Sequence, residues 1–393
     1  MTTNIDNQYI IMKHRFECLM VSTAKANDLA GRELPGYVKY EDSEQGFARR
    51  ELLQVEKQAI ENKQIDEITN QSYVDSVRNE FHRTLLKHLE TELQDYTSIY
   101  HRTLNLNDAL PDLLDLLAVK ACTIARLEPL AARVPWLFEE LLKVVNAPQN
   151  RRRDSRGRII VVETLRAALS FINIDNLQLL IPALIFRRTI PQITDPFPQI
   201  KARAWQQALN TGLTARFLAP AAGVRANDAY VLGILQGIGR NAITRLYFRL
   251  FERLQRHELE VAQAKKQRKQ HDALTQIEPS SNFLIALWND YADKTLAETL
   301  EYMHLKRLFI HPSAKTLANG PTPGEQDPLA ILVEKARTYA QFRMLKTQRL
   351  IEPDEAKVVL RTSKIPASEI AQLNKLDLSK LPLNLKPDLD EYE

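Results

Sequence analysis

Cysteine is almost absent from this chain, with two in 393 residues, Cys18 and Cys122. Two thiols so far apart form neither a disulfide framework nor a metal-site spacing, which points to a reducing compartment. Glycine is scarce as well, at 11 residues, and strand-like alternation is hard to find, which argues against an all-β architecture. Long apolar runs are missing. The longest, LQLLIPALIF at residues 177–186, covers about ten residues where roughly 20 are needed to cross a bilayer. The opening stretch MTTNIDNQYIIMKHRF has no basic region followed by an apolar run and a small-residue cleavage site. These absences predict a soluble, cytoplasmic chain with no membrane partner. An excess of charge is missing too: 53 Lys and Arg face 49 Asp and Glu, for a formal net charge of +4.

What is present is helical. Hydrophobic residues make up 44% of the chain, enough for a sizeable core, and the length exceeds one average domain about twofold to threefold. Leu113, Leu116, Leu117 and Lys120 follow spacings of three and four, as do Leu137, Leu141, Leu142 and Val145, so the fold class is all-α. A small hairpin near the N-terminus is the one β element expected. Asn107 or Asp108 is suited to cap the first helix of the central region, with Pro111 in its opening turn. From Ile238 a long helix is expected, with Leu246, Leu250, Phe251 and Leu254 along one side and charge on the others.

Three parts are predicted: an N-terminal helical extension over 1–103, a core over 104–311, and a C-terminal linker, helix and tail over 312–393. Within the first, residues 1–45 read as a short structured segment and a loop. A polar helix follows over 47–100, its narrow stripe of Leu85, Leu86, Leu89 and Leu93 leaning on the core as an arm. NGPTPGEQDP at 319–328 holds three prolines and two glycines and marks a linker. A last long helix is expected over 329–350 and a short one after Pro353. The final LPLNLKPDLDEYE lacks helical periodicity and is predicted to be loosely held.

Chemistry-bearing motifs are few. The one literal His-Asp pair, His271-Asp272, lies among polar residues with no apolar helix to bury a metal. His82 and His88, and His304 and His311, are read as surface or capping residues, and Pro312 suggests that a helix has ended at His311. No His-Glu-x-x-His, paired-cysteine or nucleophile-elbow pattern occurs. Gly233, Gly237 and Gly239 superficially resemble a phosphate loop, yet they fall in a helical pattern and no Lys-Ser or Lys-Thr follows. Glycine costs about 1 kcal/mol against alanine in a helix, so the cluster implies close packing, with Gly237→Asp expected to be strongly destabilising. Basic residues gather in RRRDSRGR, with Arg151, Arg152, Arg153, Arg156 and Arg158, and in KKQRK at 265–269. The arginine run is a candidate anionic-partner patch. No base-reading motif or interleaved aromatics accompany it, so a solvated loop is the simpler reading and nucleic acid is not the expected partner.

The segment NDAYVLGILQGIGRNAITRL at 227–246 resembles the helix of HD-type phosphohydrolases in which Leu-His-Asp-Ile-Gly supplies metal ligands, with Gln236 and Gly237 where the His-Asp pair would be. The resemblance runs through 104–311 and is closer to the HDOD family, the HD-related output domains of bacterial signalling proteins. It is carried by LNDALPDLLDLL at 106–117, PWLFEELLKVVNAP at 135–148 and VVETLRAALSFINIDNLQLLI at 161–181. AWQQALNTGLTARFLA at 204–219 completes it, with Gln207 where many members keep a His. An amide oxygen is a weak ligand for a divalent cation and glycine offers none, so no catalytic metal and no cofactor are expected. A vacated pocket bordered by Asn146, Gln207, Gln236 and Gly237 is the candidate vestige.

The resemblance implies an HDOD-like multi-helix domain with helical extensions. It would serve as a non-enzymatic module of bacterial signal transduction, working through protein partners. Two other classes stay open at this point: a divergent metal-dependent phosphohydrolase, and a nucleic-acid-associated regulator using the arginine run.

Overall fold

The computed structural model describes residues 2–31, 54–153, 158–320 and 326–385. Helices α1 (Thr2–Val21) and α2 (Thr23–Leu29) come first, followed by the 40-residue α3 (Gln54–Leu93). The described residues near the N-terminus are helical, and residues 32–53, where the expected small hairpin could fall, lie outside the described part; the described two-stranded sheet joins Arg152–Arg153 (β1) to Ile159–Ile160 (β2). Phe81, Leu85, Leu89 and Leu93 of α3 are buried. They form one stripe at helical spacing that seats this part of the helix along the core.

The core begins after a π-helical turn, Ile99–Thr103. Helices α4 (Leu110–Leu117), α5 (Ile124–Ala132) and α6 (Pro135–Val145) precede the hairpin, and α7 (Leu165–Ile172) and α8 (Ile174–Thr189) follow it. Helix α4 is capped one residue later than the sequence suggests, at Ala109, because Asn107 turns its side-chain oxygen back to the Ala109 N–H (2.8 Å). Between α7 and α8 the chain bends by 110° at Asn173, whose positive φ of 62° ends one helix while its side chain caps the next. Among the described residues no single helix is long and apolar enough to cross a membrane.

Helices α9 (Gln199–Leu218), α10 (Ala226–Leu235), α11 (Ile238–Ala264), α12 (Arg268–Thr275) and α13 (Ser281–Tyr302) complete the central bundle. Ala229 through Leu235 are all buried, so α10 is the axial helix of the bundle. Its closest neighbour is α9. A Cβ built on Gly233 would lie 3.0 Å from the Gly212 Cα and 3.2 Å from the Ala215 Cβ, so small residues bring the two backbones together. A tighter approach joins α11 to α13, where a Cβ on Gly239 would fall 1.9 Å from the Ala292 carbonyl oxygen.

Helices α14 (His311–Asn319), α15 (Pro328–Thr347), α16 (Pro353–Thr362) and α17 (Ala367–Leu373) form the C-terminal part. His311 opens a helix rather than closing one, with Pro312 in its first turn, where no donor is needed. Helix α15 packs on α9 and α10, and its buried Leu332, Val333, Ala336 and Tyr339 join the same apolar core as the central bundle. Helix α1 meets the C-terminal part directly: Arg15 donates to the Leu350 carbonyl (2.8 Å) and through both terminal nitrogens to Glu355 (2.9 and 3.2 Å). The tail is held as far as it is described, because Asn384 and the Asn176 side chain exchange two hydrogen bonds of 2.7 and 3.0 Å. Residues 386–393 lie outside the described part. The expectation of a loosely held tail is thus corrected for residues 381–385.

Candidate functional site

The candidate site lies where α10 gives way to α11. The helical pattern running through Gly233, Gly237 and Gly239 in the sequence breaks here: α10 ends at Leu235 and Gly237 takes the N-cap position of α11 at φ −84°, ψ 0°. The break turns Gln236 toward α9, where its amide nitrogen donates to the Thr211 hydroxyl at 3.3 Å. Gly237 faces the Phe186 ring of α8, whose edge carbons would be 3.0 and 3.1 Å from an added Cβ. Gln207 projects from α9 into the same space, so Gln207, Gln236 and Gly237, 30 positions apart at the extremes, border one void.

Arg240 occupies the space between them. One turn beyond Gln236 on α11, its guanidinium donates to Gln207 Oε1 at 2.9 Å and lies 5.1 Å from the centre of the Trp288 ring. Burial pulls the Arg240 pKa below its ordinary value, while Glu17 of α1 works the other way. The carboxylate of Glu17 is itself buried and accepts a hydrogen bond from Asn289 of α13 (3.1 Å). Asn241 closes the far wall by donating to Thr189 Oγ1 at 2.9 Å. The remaining void measures about 10 Å³, room for one water at most.

This set does not fit a divalent metal. Its donors are two amides with a fixed positive charge between them, and a guanidinium keeps its proton at any ordinary pH. Its hydroxyls, on Thr211 and Thr189, accept from Gln236 and Asn241. Among the described residues no three His, Cys, Asp or Glu side chains gather as a metal-binding group. Sequence reasoning missed Arg240, Thr211 and Asn241. No local signal marked Arg240, because the helix breaks between it and Gln236 and nothing in the sequence sets it apart from the surface arginines nearby.

Asn146 does not border the void. It caps α6, and its side chain both donates to and accepts from the Val162 backbone (2.8 and 2.9 Å), stapling the strand that leaves the hairpin to the end of α6. The arginine run supplies that hairpin. Arg151 and Arg158 are exposed, Arg152 and Arg153 form β1, and Arg156 lies outside the described residues. Arg151 Nε donates to the Asn146 carbonyl at 3.1 Å. Ile159, Ile160 and Val161 beside them are exposed at 45%, 47% and 61%, so the hairpin presents apolar and basic groups together. His271 and Asp272 sit on the exposed α12, 3.7 Å apart. His82 stacks on Phe283 at 4.6 Å, with its ring planes 13° apart.

Comparison with curated proteins and with solved structures gives no match. A family model, by contrast, matches residues 104–304, from the π-helical turn that opens the core to the end of α13, and its description is the HDOD domain. That span holds Gln207, Gln236, Gly237 and Arg240, and over half its length the chain belongs to the HDOD domain family.

Proposed function

We propose that this protein is a non-enzymatic regulatory module of bacterial signal transduction that acts by binding protein partners. One observation carries the reading: Arg240 fills the space that Gln207, Gln236 and Gly237 border, at the place where the resemblance to HD-type phosphohydrolases expects a metal. A guanidinium in a void of about 10 Å³ leaves room for neither a metal nor a phosphate ester. Conserving the frame of a hydrolase without its chemistry leaves its surface as the working part. The hairpin, with its exposed Ile159, Ile160 and Val161, supplies one apolar patch of the kind partners cover.

The test combines metal content with capture. Protein purified without chelator is expected to carry less than about a tenth of an equivalent of iron, manganese, zinc or nickel, given the donors present. Crosslinking in the native cell is expected to trap one protein reproducibly, and charge reversal of Arg151 with polar replacement of Ile159 and Val161 to reduce its yield. One equivalent of metal, lost with phosphate-ester hydrolysis when a histidine is replaced, overturns the reading.

A further inference from the structure

A groove of about 910 Å³ that shares no lining residue with the Arg240 site lies between the end of α8, the start of α6 and the middle of α11. Its walls hold Trp136, Leu184, Arg187, Arg188, Phe248 and Arg249. The size falls within the range of small-ligand sites, and the combination of ring faces with convergent charged groups is what such sites use.

The charges show what is left over for a ligand. Lys143 is paired with Glu140 (2.6 Å), Glu252 with Arg256 (2.6 Å) and Arg249 with Glu92 of α3 (3.0 Å). Arg187 and Arg188 are exposed and make no ion pair among the described residues. Each lies over an indole instead, Arg188 at 5.7 Å from Trp136 and Arg187 at 6.0 Å from Trp205. Behind them Arg245 is fixed by three backbone carbonyls, those of Thr103, Arg188 and Ile190, at 2.7 to 2.9 Å, with no carboxylate partner among the described residues. Burial, and to a smaller extent the neighbouring Arg188, pull the Arg245 pKa down to about 10. The same groove is lined by Glu139 and Asp195, carboxylates with no ion pair among the described residues.

We infer that this groove binds a nucleoside phosphate. Phosphate oxygens match the exposed guanidiniums of Arg187 and Arg188, which make no ion pair among the described residues and suit bidentate contacts. Ribose hydroxyls and an exocyclic amine supply the donors that Glu139 and Asp195 lack, and a base ring offers a face to Phe248. A simple inorganic anion uses only the arginines, and an acidic peptide is repelled by the two carboxylates. The inference is independent of the proposed partner-binding role. It gives the protein an input site whose rim, through Arg249 and Glu92, also tethers α3.

Isothermal titration of the full chain with ATP, GTP and UTP tests it, with pyrophosphate as the phosphate-only probe. At least one nucleotide is expected to bind saturably with Kd below about 0.1 mM, and pyrophosphate about tenfold more weakly or worse. The exposed double variant Arg187→Gln/Arg188→Gln is expected to lose about tenfold or more in affinity with an unchanged thermal midpoint. Glu139→Gln is expected to weaken the nucleotide and leave pyrophosphate unaffected, and Arg151→Gln to change neither. Absence of saturable binding up to about 1 mM overturns the inference. So does pyrophosphate binding as tightly as the nucleotides, or a double variant that binds like the parent.

Discussion

A methyl group on Gly239 would sit 1.9 Å from the carbonyl oxygen of Ala292, a contact that only a shift of α11 or α13 relieves. Gly239→Ala is therefore expected to lower the unfolding free energy by about 3 kcal/mol or more in urea titration. Gly237→Asp should be milder, at most about 2 kcal/mol, because an N-cap position favours Asp and offsets part of the 3.0 Å approach to the Phe186 ring. The sequence marked Gly237 as the critical glycine; the reverse order of these two losses would restore it. Asp115 is the second residue whose role is local and large. Though a charged residue within a leucine-rich helix, it is buried and accepts from the backbone N–H groups of Lys306, Arg307 and Leu308 at 2.6, 2.8 and 3.1 Å. Replacing it with Ala strands three donors and is expected to cost about 3 kcal/mol, with Asn intermediate. A loss under about 0.5 kcal/mol would mean that water satisfies that turn.

Helix α3 is held at one end by ring contacts, Phe81 on Phe251 at 5.0 Å and His82 on Phe283 at 4.6 Å. Burial lowers the His82 pKa from 6.5, and Arg78 lowers it further. The unfolded chain then takes up the proton first, so the contribution of neutral His82 is complete above pH 6.5 and declines as pH falls from there toward the depressed folded value. Melting temperatures between about pH 7.5 and pH 5 should fall less steeply for His82→Phe than for the parent. Some slope remains, because burial lowers the His311 pKa in the same direction. An unchanged slope in His82→Phe would place the titration elsewhere. At the other end of the chain, Arg15→Ala removes a two-pronged contact with Glu355 and is expected to cost about 2 kcal/mol, with faster amide exchange in both α1 and α16. Faster exchange in α1 alone would show that α16 is held without it.

At the scale of the whole molecule, the spacing of leucines was enough to read an all-α chain and to place α6, α11 and α15 within a few residues, because one buried stripe per helix leaves a strong imprint. Helix α10 left none, since it is apolar all round. The trio Gln207, Gln236 and Gly237 was legible as a departure from a familiar pattern. Arg240 was not, because nothing local separates a plugging arginine from the surface arginines around it. Nor could sequence show that α15 shares the apolar core with α9 and α10. Proteolysis is expected to cut between α14 and α15, yet the two pieces should coelute under native conditions; separation on a sizing column would make the C-terminal part an independent unit. Arg240 also has a consequence for any attempt to build a metal site here. Installing Gln207→His, Gln236→His and Gly237→Asp would assemble ligands around a charge that repels the metal, so the three together are expected to bind none until Arg240 itself is replaced. The arginine acts as a resident counter-ion: a cation can enter this space only by displacing the one the chain already keeps there.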